Sequence, residues 1–148
     1  MVVETKTIVG YRTAKAVKVL YHHSDDTSCK YLSFGNSILK IATKDGHENV
    51  ALSLEIFAAG GTAESGVAAI QSKFSEGREL LKNWCDVTCC MFPDQQDLLD
   101  KLPDTMNLTL ARLVEHGWLM TDTCNTAQKF RKLLREVIEA EAKENGMM

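Results

Sequence analysis

Two adjacent glycines lie between the most strand-like segment of the sequence and its first long helical pattern, in FAAGGTAESG, residues 57–66. Because free N–H groups at the start of a helix can bind an anion, Gly60, Gly61 and Thr62 form a candidate anion-binding turn. The stretch matches neither the dinucleotide-binding nor the P-loop glycine pattern, and Glu64 places negative charge in the first helical turn. We favour a sharp turn in which Thr62 caps the helix.

Three of the five cysteines lie close together in NWCDVTCCMF. Cys85 and Cys89 are four residues apart and so share one face of a helix, with Cys90 adjacent. Together with His116, or with the His22–His23 pair, they form a candidate zinc site, since zinc prefers thiolate and imidazole ligands. Structural zinc sites usually combine two ligand pairs, and only one is present here. We favour packing of these thiols in the core or at a helix end, and we predict no cofactor.

Catalytic residues have no recognisable local pattern in this chain. A nucleophile needs a base and an orienting group, yet the four histidines lie in no catalytic motif. We expect His22, His23 and His47 to be exposed in loops and His116 to lie at a helix end. The carboxylates Asp25 and Asp26, and the run Asp94, Asp97 and Asp100, are expected to be solvated rather than paired for acid–base catalysis. The sequence therefore favours a protein that is not an enzyme.

The one basic cluster lies at the start of the last predicted helix, and acidic residues follow it. Along this helix the basic residues come before the acidic residues, which is the reverse of the order that the helix dipole favours. Three interpretations remain: a solvated face with Lys132–Glu136 and Arg135–Glu139 pairs, antiparallel contact between two copies of the helix, or RNA phosphate binding by the basic end. The candidate interaction residues are Lys129, Arg131, Lys132, Arg135, Glu136 and Glu139.

Alternating hydrophobic residues predict a β-meander in the amino-terminal third. HENVALSLEIF reads as a half-buried strand, SILKIAT as its partner, and Asp45–Gly46 as the hairpin turn between them. A second reversal at Gly35–Asn36 places CKYLSF beside the same sheet. TKTIVGY is also predicted to be a strand, SDDTS a polar loop, and residues 13–23 fit strand or helix, with strand favoured.

Helical spacing of apolar residues begins after Gly61. The first helix carries a stripe from Val67 to Trp84, in which Gly77 is expected to let another backbone come close. A short helix, DQQDLLDKL, follows Pro93, and DTMNLTLARLVEHG is predicted to be a third helix. The last helix is predicted to begin near Asp122 and to bury five apolar residues: Phe130, Leu133, Leu134, Val137 and Ile138. Strands followed by helices predict an α+β fold, with an antiparallel meander of 4–5 strands packed against 3–4 helices.

Composition constrains the class of protein. The 148 residues are 45% hydrophobic and 25% charged with a net charge of −3, which predicts one globular domain, residues 1–148, mainly β-sheet to residue 58 and mainly helical after it. No apolar run suggests a membrane span, and an odd number of cysteines favours reduced thiols in the cytoplasm. We expect a non-catalytic regulatory protein that binds other proteins and forms a homodimer. The alternatives are a thiol- or zinc-dependent protein centred on the cysteines and, second, an RNA-binding protein.

Overall fold

Over the residues that the structure describes, a four-stranded sheet and three long helices form the framework of this α+β protein. The computed structural model describes residues 3–29, 32–58, 62–112, 118–120 and 125–146. The elements, in chain order, are α1 (Val3–Lys15), β1 (Lys18–Cys29), β2 (Leu32–Thr43), β3 (Gly46–Ala58), α2 (Ala63–Met91), α3 (Gln96–Leu99), a 3₁₀ turn (Thr105–Asn107), β4 (Trp118–Met120) and α4 (Asn125–Glu144).

The sheet has the strand order β3-β2-β1-β4. Strands β1, β2 and β3 form an antiparallel meander, whereas β4 pairs with β1 in parallel. The predicted meander therefore comprises three strands in the described part of the chain. The fourth strand, β4, comes after α2 and α3 in the sequence and pairs with β1. A parallel neighbour requires a long connection, which the segment containing α2 and α3 supplies.

The predicted hairpin between β2 and β3 is confirmed, but its two turn residues are Lys44 and Asp45 rather than Asp45 and Gly46. Thr43 pairs with Gly46, and Gly46 has a φ of 134°, a conformation that favours glycine. The Thr43 hydroxyl accepts a hydrogen bond from the Asp45 amide at 3.3 Å and donates one to the Gly46 carbonyl at 3.1 Å. The side chain of Thr43 thus stabilises both sides of the turn.

Two other predictions for this region are wrong. Residues 24–28, predicted as a loop, belong to β1, and the Gly35–Asn36 pair lies inside β2 rather than in a turn. Asp25 is opposite Asn36 and Asp26 is opposite Gly35 in a continuous antiparallel ladder. This pairing continues to Cys29 opposite Leu32, the last residue of β1 and the first of β2. Backbone pairing along two 12-residue strands outweighs the turn preference of these residues.

The first predicted strand, TKTIVGY, is part of helix α1. Its buried residues, Gly10, Thr13 and Ala14, recur at helical spacing and pack towards α2. A Cβ on Gly10 would lie 3.4 Å from the carbonyl oxygen of Gly77. The expectation that Gly77 lets another backbone come close is therefore confirmed, and this helix contact outweighs the strand propensity of the segment.

The predicted helix over residues 104–117 is wrong for residues 104–111, whereas Arg112 is helical and residues 113–117 lie outside the described residues. Residues 105–107 form a 3₁₀ turn, and Met106, predicted to be on the buried face, is 66% exposed. Leu108 and Leu110 are buried, whereas Leu113 and Val114 lie outside the described residues. Asp104 caps the turn by accepting a hydrogen bond from the Met106 amide at 2.9 Å, which favours a tight turn over an α-helix here.

The core lies between the sheet and helices α1, α2 and α4. It joins Val19, Leu39, Ile41 and Val50 of the sheet to Ile70, Phe74 and Leu81 of α2 and to Leu134 and Ile138 of α4. The predicted helices at α2 and α4 are confirmed, whereas the predicted helix DQQDLLDKL is reduced to the four residues of α3. Of the five residues predicted to be buried in α4, Leu134 and Ile138 are buried and the other three are partly buried. None of the described helices combines the length and apolar run needed to cross a membrane.

Candidate interaction surface on helix α4

Helix α4 separates an apolar face from a charged face. Leu134, Ile138 and Ala142 are buried at four-residue spacing, and Phe130, Leu133 and Val137 are partly buried beside them. The six candidate interaction residues lie on the exposed side of the helix, at Lys129, Arg131, Lys132, Arg135, Glu136 and Glu139. We call these six residues the α4 surface.

One residue of the α4 surface is tied to helix α2. Lys129 Nζ lies 2.5 Å from Oε1 of Glu64 in the first turn of α2. The hydrogen bond from Lys129 is the largest cause of the lowered pKa of the Glu64 carboxyl. Next to this pair, Phe130 packs on Gly66, where a Cβ would lie 3.0 Å from the phenyl ring. The start of α4 is thus held against the start of α2.

A second ion pair fixes the acidic end of α4. Arg78 Nη1 of α2 lies 3.6 Å from Oε1 of Glu141. Burial raises the pKa of the Glu141 carboxyl, and the Arg78 charge opposes that shift. Glu141 therefore faces α2, in contrast to Glu136 and Glu139, which are exposed.

The other charges of the α4 surface have no ion-pair partner among the described residues. The predicted pairs Lys132–Glu136 and Arg135–Glu139 are not formed within the described part of the chain. Arg131, like these four residues, is exposed. The basic half and the acidic half of α4 both present charge to solvent.

An open groove runs between α2 and α4 beside these charges. It has a volume of about 340 Å³ and is lined by Glu64, Val67, Leu133, Glu136, Val137 and Ala140. Four of the six lining residues are apolar, and Ala140 is exposed. A cavity between α1 and α2 is far smaller, about 20 Å³, enough for one water molecule.

The candidate anion-binding turn is described only at Thr62, because Gly60 and Gly61 lie outside the described residues. Thr62 caps α2 as predicted: its hydroxyl accepts from the Ser65 amide at 3.1 Å, and the Ser65 hydroxyl accepts from the Thr62 amide at 3.0 Å. This reciprocal capping box already satisfies the N–H groups of both residues.

The cysteine cluster lies near the end of α2. Cys85 is partly buried, and Cys89 and Cys90 are exposed, all three as free thiols. Among the residues described, no group of three potential ligands is placed to hold a metal ion. His116, the fourth predicted ligand, lies outside the described residues.

His22 is the polar residue whose position the sequence analysis missed. It was expected to be exposed in a loop, but it is fully buried in β1, and its Nε2 hydrogen-bonds to Oγ of Ser37. A β-bulge between Val19 and Tyr21 is the reason, because the extra residue turns His22 to the same buried side as Val19. His47 is exposed as expected, although it lies in β3 rather than in a loop, and His23 is partly buried.

Burial of His22 has an electrostatic consequence. Desolvation, with a smaller effect from His23, lowers the pKa of His22 to about 4. Its Nδ1 has no hydrogen-bond partner in the described structure. When the neutral ring donates its Nε2 hydrogen to Ser37, Nδ1 is an acceptor without a partner. Leaving this one acceptor unpaired costs less free energy than burying a charged ring.

Comparison with protein-family models, curated proteins and solved structures finds no match to this chain.

Proposed function

We propose that this protein is a non-catalytic, cytoplasmic binding protein that acts through protein–protein contacts and self-associates through the α4 surface. The observation that carries the proposal is the open apolar groove between α2 and α4, bordered by exposed charges without an ion-pair partner among the described residues. A cytoplasmic location is supported by the free thiols of Cys85, Cys89 and Cys90.

Charge order supports a second copy of the chain as the partner. The exposed bases Arg131, Lys132 and Arg135 precede the exposed acids Glu136 and Glu139 along α4. If two copies of α4 pack antiparallel about a two-fold axis, each basic half meets the acidic half of the other copy. The contact also offsets the unfavourable position of bases near the helix amino terminus.

Apolar contact supplies the second part of the proposed interface. Val137 is partly buried and Ala140 exposed on the groove, one turn apart on α4. Covering them with the equivalent residues of a second copy removes apolar surface from water, which is the main favourable contribution to association. The charges then set the antiparallel orientation of the two helices.

Charge reversal tests the proposal. One variant carries Arg131→Glu and Arg135→Glu, the other Glu136→Arg and Glu139→Arg. In sedimentation velocity at micromolar concentration we expect wild type to be dimeric and each variant alone to be monomeric, because like charges then face each other. An equimolar mixture of the two variants should recover a dimer of one copy of each.

The control is Lys44→Glu in the exposed β2–β3 turn, which should leave the dimer intact. A wild-type protein that stays monomeric, or charge-reversed variants that dimerise as wild type does, would contradict the proposal.

A further inference from the structure

Helix α2 extends well beyond the core that it helps to form. Its last buried residue is Leu81, and the helix continues to Met91. The additional ten residues measure about 15 Å along the axis. Helix α3 follows after a short turn and has no buried residue. We call residues 82–100 the α2 tip.

Large apolar side chains are exposed on the α2 tip. Val87 is 56% exposed, Met91 66%, and Trp84, Phe92 and Leu98 are between 36% and 39% exposed. Trp84, Val87 and Met91 are spaced by three and four residues and therefore share one helix face. Clusters of exposed apolar residues of this kind usually mark a site of interaction.

One end of this face is anchored. The rings of Trp84 and Tyr11 make an edge-to-face contact, with centroids 5.5 Å apart and an interplanar angle of 85°. Helix α1 therefore holds Trp84 in place, while Val87 and Met91, further along α2, stay exposed. Large aromatic side chains such as tryptophan are frequent anchors of protein interfaces.

Acidic residues accompany the exposed apolar side chains in the α2 tip. Between Lys82 and Lys101 the chain contains no lysine, arginine or histidine and four aspartates, all of them exposed: Asp86, Asp94, Asp97 and Asp100. The Gln96 amide donates a hydrogen bond to Oδ1 of Asp100 at 2.7 Å, which fixes that carboxylate within α3. The α2 tip thus combines exposed apolar side chains with four exposed carboxylates.

The exposed carboxylates and apolar side chains of the α2 tip indicate the class of its partner. Symmetric contact with a second copy would place the same four aspartates of each chain together, and an anionic membrane surface would be repelled. An amphipathic segment that carries apolar residues together with lysine or arginine complements both the exposed apolar side chains and the exposed carboxylates. We propose that the α2 tip docks a cationic amphipathic segment of another protein. This surface uses none of the residues of the α4 surface.

Two synthetic peptides test the inference. The first is a fluorescently labelled amphipathic helix of leucine and lysine, and the second has glutamate at every lysine position. Fluorescence anisotropy should show saturable binding of the lysine peptide and none of the glutamate peptide. Bound peptide should also slow alkylation of Cys90, which neighbours Met91 on the exposed helix.

Matched variants assign the binding to the α2 tip. Val87→Ser with Met91→Ser should abolish binding, and Asp86→Asn with Asp94→Asn should weaken it about tenfold. The control, Glu4→Gln with Asp45→Asn, removes the same charge from exposed positions elsewhere and should leave affinity unchanged. All four sites in the test variants are exposed, so circular dichroism should show an unchanged fold.

Several results would overturn the inference. One is equal affinity for the two peptides, and another is equal weakening by the control variant, which would indicate attraction to overall negative charge. Dissociation of a wild-type dimer by Val87→Ser with Met91→Ser would assign the face to a second copy. Binding of wild type, but not of that variant, to phosphatidylserine vesicles would assign the face to a lipid surface. The peptide, control-variant and vesicle results do not depend on whether the α4 surface forms a dimer.

Discussion

Arg112 Nη2 donates a 2.7 Å hydrogen bond to the backbone carbonyl of Ala16, 96 residues earlier in the chain. The same guanidinium donates from Nη1 to the Thr13 carbonyl, also at 2.7 Å. The last carbonyls of a helix have no partner within the helix. Arg112 therefore caps the carboxyl-terminal end of α1 and connects it to the segment after the 3₁₀ turn.

Replacing this side chain should lower stability. We expect Arg112→Ala to reduce the free energy of unfolding by about 1.5–3 kcal/mol, the usual range for hydrogen bonds from a charged group. Arg112→Lys should recover little, because one ammonium does not reproduce the two-pronged geometry of guanidinium. Urea denaturation measures the stability of both Arg112 variants, with Lys44→Ala in an exposed turn as the control. A loss for Arg112→Ala no larger than for the control would contradict this role.

The two glycines of α2 with close neighbours should respond differently to alanine. A Cβ on Gly77 would lie 3.0 Å from Cδ2 of Leu108, which is buried and has little room to move. A Cβ on Gly66 would meet the ring of Phe130 at a similar distance, but Phe130 is only partly buried. Alanine gains about 1 kcal/mol of helix propensity over glycine at either position.

We therefore expect Gly77→Ala to destabilise the protein by about 1 kcal/mol net, since overpacking usually costs about 1–3 kcal/mol. Gly66→Ala should be neutral or stabilising, because Phe130 can turn towards solvent. Thermal unfolding of both variants provides the comparison. The double variant Gly77→Ala with Leu108→Ala should lose less stability than the sum of the losses of the two single variants. Losses that simply add would exclude crowding between the new Cβ and Leu108.

The three thiols of α2 should react in a defined order. Burial raises the pKa of the Cys85 thiol, with smaller effects from Cys89 and Asp86. Because the thiolate is the reactive form, iodoacetamide should modify the exposed Cys89 and Cys90 before Cys85. Tandem mass spectrometry of the tryptic peptide 83–101, which contains all three, distinguishes the sites.

The variant Cys89→Ser should leave Cys85 slow, because burial, the larger cause of its raised pKa, remains. If Cys85 reacted first, its thiol would be activated rather than suppressed. That result would favour the alternative of a thiol-dependent protein.

Periodicity in the sequence was sufficient where apolar side chains themselves form the buried face. Burial follows the predicted spacing in α2 at Val67, Ile70, Phe74 and Leu81, and in α4 at Leu134 and Ile138. Trp84, the last residue of the predicted α2 stripe, is instead 39% exposed. Helix α1 was missed because its packed face is built from Gly10, Thr13 and Ala14, which give no apolar period. Their burial depends on α2, more than sixty residues later, and so leaves no local signal.

The α4 surface was identified from its charges alone, and the structure adds what local sequence does not contain. Exposure of the six residues is as expected, but the groove beside them also requires Glu64 and Val67 of α2. The pairing of Lys129 with Glu64, rather than with a residue of its own helix, depends on how α2 and α4 pack. His22 was missed for a related reason, since a one-residue bulge reverses the face of a strand.

Burial of His22 should make stability depend on pH. Its pKa is about 4 in the folded protein and 6.5 for an unperturbed histidine. Above pH 6.5 the ring is neutral in both states, and the folded state keeps its full stability. As the pH falls towards 4, the unfolded chain binds a proton that the folded protein does not, so stability decreases; below pH 4 this contribution levels off.

Between pH 7 and pH 5 we expect His22 to lower the free energy of unfolding by about 2 kcal/mol. Urea denaturation between pH 7 and pH 5 should show a smaller decrease in the free energy of unfolding for His22→Gln than for wild type. The substitution removes the titrating group, so this comparison holds even if the variant is less stable at pH 7. His47→Gln, at an exposed position, should keep the wild-type pH dependence. If the free energy of unfolding depended on pH in the same way for wild type and His22→Gln, His22 would bind its proton as readily in the folded protein as in the unfolded chain. The description of His22 as a neutral, buried ring hydrogen-bonded to Ser37 would then be wrong.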